Sequence, residues 1–256
     1  MGKIIAITNQ KGGVGKTTTS VNLSACVAEA GKRTLLVDID PQGNASSGLG
    51  LARKGEHGTY DVLIGETAAA DSVLDTGYGP LWLMPASIEL AGAEIELVDM
   101  EAREELLKRA LAPLREQFDY IFIDCPPSLG LLTLNALTAA DSVLVPIQCE
   151  YYALEGVGQL MNTVRLVRKK LNPSLEVEGI VLTMHDARTN LCAQVVQEVR
   201  SHFEKEVFHT TIPRNVRLSE APSYGIPIHL YDARCNGTAA YRSLAKELME
   251  RNEGAK

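Results

Sequence analysis

Residues 11–18 of this 256-residue chain read Lys-Gly-Gly-Val-Gly-Lys-Thr-Thr, and this glycine-rich stretch constrains the fold more than any other feature. An apolar run, residues 3–8, precedes it and is typical of a buried parallel strand. A helical pattern over residues 17–30 follows and ends at Gly31. The order of strand, glycines and helix predicts a loop that binds phosphate groups rather than a simple connecting turn.

The three glycines of this loop let the backbone bend, so that successive N–H groups point to one concave side. The helix that follows aims the positive end of its dipole at the same place. Lys16 is expected to reach the β- and γ-phosphates of a nucleotide, and the Thr17 hydroxyl is placed to bind Mg²⁺. The predicted nucleotide-binding residues are Gly12, Gly13, Val14, Gly15, Lys16, Thr17 and Thr18.

Acidic residues end two further apolar strands. Asp124 closes the strand over residues 120–124, where it is expected to contact the magnesium shell directly or through water; alternatively it caps the next turn. Asp38 and Asp40 follow a strand that begins at Thr34, and one of them is expected to orient the attacking water. Asp40 is preferred, because Asp38 still belongs to the strand end and Pro41 turns the chain outward. Thr17, Asp40 and Asp124 are thus the candidate magnesium ligands.

Lys11 is a second lysine beside the glycines, which an ordinary phosphate-binding loop does not require. A cation supplied across a dimer interface would neutralise charge in the transition state as an arginine finger does. The alternative is a solvated surface lysine.

Strand and helix patterns alternate along the chain, which predicts an α/β fold with a mainly parallel twisted sheet and helices on both faces. Further strands are expected at residues 81–84, 142–146 and 179–183, and further helices at about 100–117 and 154–171. Residues 43–50 are rich in Gly, Ser and Asn and are expected to be a mobile loop. We find no linker or repeat, so residues 1–256 are expected to form one domain.

Composition indicates a cytoplasmic protein. The five cysteines are scattered and never spaced as Cys-x-x-Cys, which argues against a disulfide framework or a zinc site and fits a reducing compartment. The first apolar run is too short for a signal peptide or a membrane span. The net charge of −7 argues against general binding to nucleic acids, although it does not exclude a local basic patch.

Five motifs resemble the ParA/Soj family of chromosome- and plasmid-partitioning ATPases, in the deviant Walker A group that also holds the MinD proteins. The resemblance covers essentially the whole chain, and its last two motifs are the most family-specific. The motifs are NQKGGVGKTTT (residues 9–19), LVDIDPQGN (36–44), IDCPPS (123–128), QCEYYALEG (148–156) and IPRNVRLSEAP (212–222).

The resemblance implies that Lys11 reaches the nucleotide of a partner subunit, that Asp40 is the catalytic carboxylate, and that Pro213 and Asn215 belong to an adenine pocket. It also implies that ATP, with Mg²⁺, joins two copies into a sandwich homodimer. In the family this dimer binds DNA without sequence preference, and a ParB-type centromere-binding protein stimulates hydrolysis. A nucleoid-associated protein is therefore expected.

The family positions that contact DNA correspond to Arg188 and Arg217. Composition alone favours solvated surface arginines, but a dimer would double a small basic patch, and a few phosphate contacts suffice for weak, salt-sensitive binding. Other basic residues either extend this patch or only cover helix surfaces: Arg165, Arg168, Lys169, Lys170, Arg242 and Lys246.

Two rival functions predict different features. A membrane-cycling protein of the MinD type would need an amphipathic C-terminal helix with a basic face, whereas residues 241–251 mix acidic and basic side chains and are typical of a helix docked on its domain. No membrane partner is therefore expected. An iron–sulfur reductase of the nitrogenase iron-protein type would need paired thiolates at a dimer seam, whereas Cys125 is expected to pack beside Asp124.

Overall fold

Eight strands form one sheet in the computed structural model, which describes residues 1–52, 54–150 and 153–254. Their order across the sheet is β3-β4-β2-β5-β1-β6-β7-β8, and all neighbours are parallel except β3 and β4. The strands are β1 (Lys3–Ile7), β2 (Thr34–Asp38), β3 (Leu74–Asp75), β4 (Leu81–Met84), β5 (Tyr120–Asp124), β6 (Ser142–Gln148), β7 (Glu176–His185) and β8 (Val207–Pro213).

Helices connect the strands and cover both faces of the sheet. Short 3₁₀ turns lie at Ala69–Ser72, Leu97–Asp99, Ala112–Leu114 and Ala221–Tyr224. The α-helices of the described residues are α1 (Lys16–Glu29), α2 (Asn44–Gly48), α3 (Thr59–Ile64), α4 (Leu90–Glu96), α5 (Leu106–Leu111), α6 (Leu131–Ala139), α7 (Ala153–Lys170), α8 (Asn190–His202), α9 (Val216–Glu220), α10 (Ile228–Tyr231) and α11 (Asn236–Glu253).

Two apolar cores lie on opposite faces of the sheet, because successive strand side chains point to opposite faces. In β1, Ile4 packs in the core with residues of α5, α6 and α7, whereas Ile5 packs in the core with residues of α1 and α11. All five residues of β2 and of β5 are buried, as expected for strands covered on both sides. The predicted three-layer α/β/α fold is confirmed.

Strand register brings the candidate acidic residues together. Asp124, at the end of β5, pairs with Asp38 of β2 on one side and with Ile7 of β1 on the other. The glycine-rich loop follows β1, so it lies at the same edge of the sheet. Ligands of such sheets bind at this edge, beyond the carboxyl ends of the strands.

Most predicted elements are confirmed within a few residues at their ends: the strands beginning at 3, 34, 81, 120 and 142, the strand over 179–183, and the helices over 17–30 and 154–171. The C-terminal helix is docked as expected, since Tyr241, Leu244 and Leu248 of α11 are buried in the second core. Tyr151 and Tyr152, within the 148–156 motif, lie outside the described residues.

Two predicted segments were wrong. Residues 43–50 contain α2 rather than a loop, because the Asp38 carboxylate accepts hydrogen bonds from the backbone and hydroxyl of Ser46 and holds this turn against the sheet. The helix expected at 100–117 is α only from Leu106 to Leu111, followed by a 3₁₀ turn that contains Pro113. Ala102 lies before it at a φ of 50°, which interrupts a right-handed helix.

Candidate nucleotide site

The glycine-rich loop wraps around the start of α1. Gly13 and Gly15 have φ angles of 73° and 86°, which favour glycine, and Gly15 immediately precedes the helix. A Cβ atom at Gly12 or Gly13 would meet nothing within 4 Å, so the inside of the loop is open. The Thr183 hydroxyl of β7 donates to the Val14 carbonyl at 2.8 Å and fixes the loop to the sheet. This loop has the form of an anion-binding nest.

Lys16 points inward from the first turn of α1 and is 7% exposed. Its Nζ donates to the Lys11 carbonyl, 3.3 Å away, across the mouth of the loop. Burial lowers the pKa of Lys16, while the nearby carboxylates of Asp124 and Asp40 oppose that shift. The ammonium group therefore lies between the loop and the acidic strand ends.

Asp124 is fully buried beside this lysine. Its Oδ1 accepts a hydrogen bond from the Ser20 hydroxyl at 2.7 Å, whereas its Oδ2 is buried without a partner. Burial, and then the charge of Asp38, raise the pKa of Asp124 to about 8, although the Ser20 hydrogen bond and the nearby Thr17 hydroxyl oppose the rise. A buried carboxylate oxygen without a partner, close to a threonine hydroxyl, fits the oxygen ligands that Mg²⁺ prefers.

Asp38 and Asp40 have different surroundings although both are buried. Oδ2 of Asp38 accepts from the Ser46 backbone and hydroxyl at 2.8 and 2.7 Å, and Oδ1 accepts from the Asp40 backbone at 3.2 Å. Burial raises the pKa of Asp38 to about 6. The Asp40 carboxylate accepts one hydrogen bond, at 3.0 Å, from the Gln42 backbone. Of these two aspartates, Asp40 accepts fewer hydrogen bonds and keeps more oxygen lone pairs free, and its catalytic role stays a prediction.

Lys11 extends away from Lys16. Its Nζ lies 3.5 Å from Oε2 of Glu150, just beyond the end of β6, and its side chain is 39% exposed. The Lys11 backbone N–H donates to the Asn9 side chain, which in turn donates to the Pro146 carbonyl of β6. The loop therefore presents one lysine inward and one outward.

A cavity of about 300 Å³ opens on the far side of the loop. It brings together Pro213 and Asn215, which the family resemblance assigned to an adenine pocket, with Gly15 and Thr18. Sequence reasoning missed other lining residues, because they come from β7 and the distant α11 and carry no motif. The missed residues include Thr183, Met184 and Tyr241.

The two predicted DNA-contacting arginines follow neighbouring strands, β7 and β8. Arg188 is 88% exposed and pairs with Asp186 at 2.8 Å, while Arg217 of α9 pairs with Glu220 at the same distance. Arg188 holds the pKa of Asp186 below its usual value. Both arginines lie at the edge of the sheet that carries the phosphate-binding loop.

The additional basic residues belong to two elements. Arg165, Arg168, Lys169 and Lys170 lie in the last turns of α7, whereas Arg242 and Lys246 lie on α11. Arg242 pairs with Glu29 of α1 at 2.6 Å and so joins two helices, and Lys246 pairs with Glu250 along α11. In the described part of the chain, no helix is both long enough and apolar enough to cross a membrane.

The parallel sheet, the loop between β1 and α1, and the acidic residue at the end of the adjacent β5 define a P-loop nucleotide-binding protein. A family model described as an AAA domain matches residues 2–177.

The sporulation initiation inhibitor protein Soj of Bacillus subtilis is 63% identical over 249 residues, with 97% of this chain and 98% of the relative covered. The chromosome partitioning protein ParA of Myxococcus xanthus is 56% identical, with 98% and 89% covered. Among solved structures, the cobyrinic acid a,c-diamide synthase of Mycobacterium smegmatis with a bound ATP analogue and magnesium is 40% identical, with a TM-score of 0.88 and 100% and 98% covered. The chain therefore belongs to the Soj/ParA family of chromosome-partitioning proteins, and the predicted family and fold are confirmed.

Proposed function

We propose that this protein is an ATPase that forms an ATP-dependent sandwich dimer, binds DNA without sequence preference and drives chromosome or plasmid segregation. The observation that carries the proposal is the pair of lysines on one loop: Lys16 faces Asp124 and Asp40, whereas Lys11 faces outward beside Glu150. One lysine would bind the protein's own nucleotide, and the other would reach the nucleotide of a second subunit.

ATP and Mg²⁺ are the cofactors that suit these residues. The backbone of residues 12–18 and the Lys16 ammonium would hold the phosphates, and Pro213 and Asn215 would bind the adenine ring. Thr17, Asp40 and Asp124 would hold the magnesium shell, which fits the unpartnered Oδ2 of Asp124. A bound Mg²⁺ neutralises charge on the β- and γ-phosphates. The similar synthase of M. smegmatis binds an ATP analogue with magnesium, which supports the proposal.

Asp40 is proposed to orient the attacking water. Its carboxylate accepts a single hydrogen bond and lies close enough to Lys16 to oppose the lowering of that lysine's pKa by burial. Asp38 is proposed to position Asp40 instead, because its oxygens already accept three hydrogen bonds from Ser46 and Asp40. A carboxylate that positions or deprotonates water contributes about 10²- to 10⁴-fold to a rate.

Dimerisation is proposed to follow from the γ-phosphate. A phosphate that contacts Lys16 of one subunit and Lys11 of the other would favour the dimer, because the contact with the second lysine exists only in the dimer. Hydrolysis would remove this contact. Lys11 would have to leave Glu150, an exposed ion pair that is worth little. A ParB-type partner would then accelerate this step.

DNA binding is proposed to rest on Arg188 and Arg217. Both are exposed and lie beyond the ends of adjacent strands, so two subunits would bring four such arginines to one surface. A few phosphate contacts of this kind give weak binding that falls steeply with salt, which suits a protein whose net charge is −7. A cytoplasmic, nucleoid-associated location would follow.

A MinD-like membrane cycle is the alternative, and the C-terminal helix does not favour it. Tyr241, Leu244 and Leu248 of α11 pack in the core, so these apolar side chains are not available to a lipid surface. Glu250 beside Lys246 also weakens the basic character that anionic lipids would require.

The test is co-sedimentation of the protein with either plasmid DNA or anionic liposomes, each with ATP, ADP or no nucleotide. We expect retention on DNA with ATP and Mg²⁺ only, and lost retention at high salt. Retention on liposomes instead would favour the membrane alternative. Equal retention on DNA with ADP and with ATP would contradict the nucleotide-dependent dimer.

A further inference from the structure

Arg217 is held by two carboxylates of its own subunit. Its Nη1 lies 2.8 Å from Oε2 of Glu220, one turn along α9, and its Nε lies 3.6 Å from Oδ2 of Asp232, in the turn after α10. The Tyr231 hydroxyl donates to the same Glu220 oxygen at 3.0 Å and fixes that carboxylate in place. We call these four residues the Arg217 cluster.

The Arg217 cluster is directly connected to the cavity assigned above to adenine. The side chain of Asn215, which lines that cavity, accepts a hydrogen bond from the Arg217 backbone at 2.8 Å and thereby caps α9. Leu218 and Pro222, on either side of Glu220, line the same cavity. A nucleotide that contacts Asn215 would therefore act on the helix that carries both Arg217 and Glu220.

We propose that Glu220 and Asp232 restrain DNA binding by occupying Arg217, so that a DNA phosphate must displace them before the arginine can bind it. The proposal rests on the proposed function, since it concerns the same DNA contact. A phosphate oxygen and a carboxylate oxygen accept the same guanidinium N–H groups, so the two compete directly. The side chain of Arg217 is 53% exposed, which leaves it accessible to an incoming phosphate.

The restraint has a calculable size. Exposed ion pairs contribute little, so removing Glu220 is expected to tighten DNA binding by about threefold to fivefold rather than by orders of magnitude. Asp232 is farther from the guanidinium, so its removal should give a smaller gain of about twofold. Such modest restraint keeps the binding weak and readily reversible.

The experiment measures the affinity of Glu220→Gln for a fluorescent DNA duplex, with a non-hydrolysable ATP analogue and Mg²⁺ at fixed salt. Glutamine keeps the size of the side chain and can still accept from Tyr231. Glu105→Gln is the matched control, because it removes the same charge from a surface pair with Arg109 of α5, which is not among the candidate DNA contacts. Asp232→Asn provides a second test if the first variant folds poorly, and thermal melts monitor folding.

A double-mutant cycle with Arg217→Ala separates local competition from net charge. We expect Glu220→Gln to tighten binding in the wild-type background and to have no effect once Arg217 is absent. A gain equal to that of Glu105→Gln, or a gain that persists without Arg217, would overturn the proposal. If Arg217→Ala weakens binding but Glu220→Gln does not tighten it, the DNA contact stands and the restraint is wrong. If neither wild type nor Glu220→Gln binds DNA, both proposals fail.

Discussion

Asp124 shows how strongly the surroundings of a single side chain decide its chemistry. Three aspartates near the phosphate-binding loop lie at or just after strand ends, and the sequence predicts them at one edge of the sheet. Their states differ because burial and hydrogen bonding differ: Asp38 accepts three hydrogen bonds, Asp40 accepts one, and Asp124 keeps a buried oxygen without a partner. That oxygen lowers the free energy of unfolding of the nucleotide-free protein, because a buried acceptor without a partner is destabilising.

We therefore expect Asp124→Asn to stabilise the nucleotide-free protein by about 1–3 kcal/mol at pH 8, while it impairs magnesium-dependent ATP hydrolysis. The folded-state pKa of Asp124 is raised to about 8 from an ordinary value of 3.8, so ionisation disfavours the fold as pH rises between these values. The gain should consequently be larger at pH 8 than at pH 5. Chemical denaturation at both pH values measures it.

The control for this substitution is Asp99→Asn, because Asp99 is exposed. It should change the free energy of unfolding by less than about 0.5 kcal/mol at either pH. A change in the free energy of unfolding of Asp124→Asn that is the same at both pH values, or a loss of stability at pH 8, would contradict the assignment of an unfavourable buried charge.

Substitution of each of the two loop lysines should distinguish the residue that binds nucleotide from the residue that acts in dimerisation. Lys16→Ala is expected to weaken ATP binding at least about a hundredfold, since it removes charged hydrogen bonds made inside a buried site. Lys11→Ala, the matched control, should leave ATP binding to the monomer within about twofold, because its side chain faces outward to Glu150. Calorimetric titration with ATP and Mg²⁺ distinguishes them, and equal losses would refute the division of roles.

At the scale of elements, the turn after α2 contacts the turn that follows the segment carrying Asn215 and Arg217. Gly50 follows α2, and Gly225 follows the 3₁₀ turn Ala221–Tyr224; their φ angles are 70° and 67°. A Cβ atom at Gly225 would lie 2.8 Å from the Gly50 Cα atom. Only glycines permit this backbone contact, which links α2 to the wall of the cavity.

Gly225→Ala should therefore destabilise the protein by more than the cost of placing an alanine in a left-handed backbone conformation, because its Cβ atom would also clash with Gly50. Gly77 is the control, because its φ of 74° is similar but an added Cβ would meet nothing within 4 Å. Gly77→Ala is expected to cost about 1–2 kcal/mol, and Gly225→Ala about 1–3 kcal/mol more. Urea denaturation gives both values. Equal costs would show that the turns separate without strain.

At the scale of the whole molecule, all eight strands belong to one sheet with a core on each face, and we propose on this basis that the chain is a single domain. The sheet brings the ends of β1, β2 and β5 together with those of β7 and β8. The nucleotide site and the two DNA-binding candidates consequently share one edge of the molecule. A second copy that bound at this edge would contact both.

Asp40→Ala is expected to bind ATP and to remain a dimer, because it removes the carboxylate proposed to activate water and leaves the phosphate-binding loop intact. Its ATPase rate should fall by about 10²- to 10⁴-fold. Light scattering after gel filtration should give twice the subunit mass with ATP and the subunit mass with ADP. Undiminished turnover would refute the catalytic role, and a monomer with ATP would refute the proposed dimer.

The order of strands and helices was predictable where local signals agreed. The glycine-rich loop, its flanking strand and helix, and the strand that ends at Asp124 each carry a distinct hydrophobic period or a fixed spacing. β8 and helices α3, α4 and α8 were missed, because their short or mixed patterns resemble loops. The family resemblance, rather than periodicity, pointed to Pro213 at the end of β8 and to Asn215 just beyond it.

By itself, the sequence determined the phosphate-binding loop, the α/β class and the family, since these depend on short-range patterns of glycine, lysine and apolar residues. Only the tertiary structure decided that Ser46 binds Asp38, that an oxygen of Asp124 is left without a partner, and that Glu220 and Asp232 both pair with Arg217. These features depend on burial and on contacts between distant segments. Local sequence patterns do not encode them, because the dielectric surroundings and partners of a side chain exist only once the sheet has assembled.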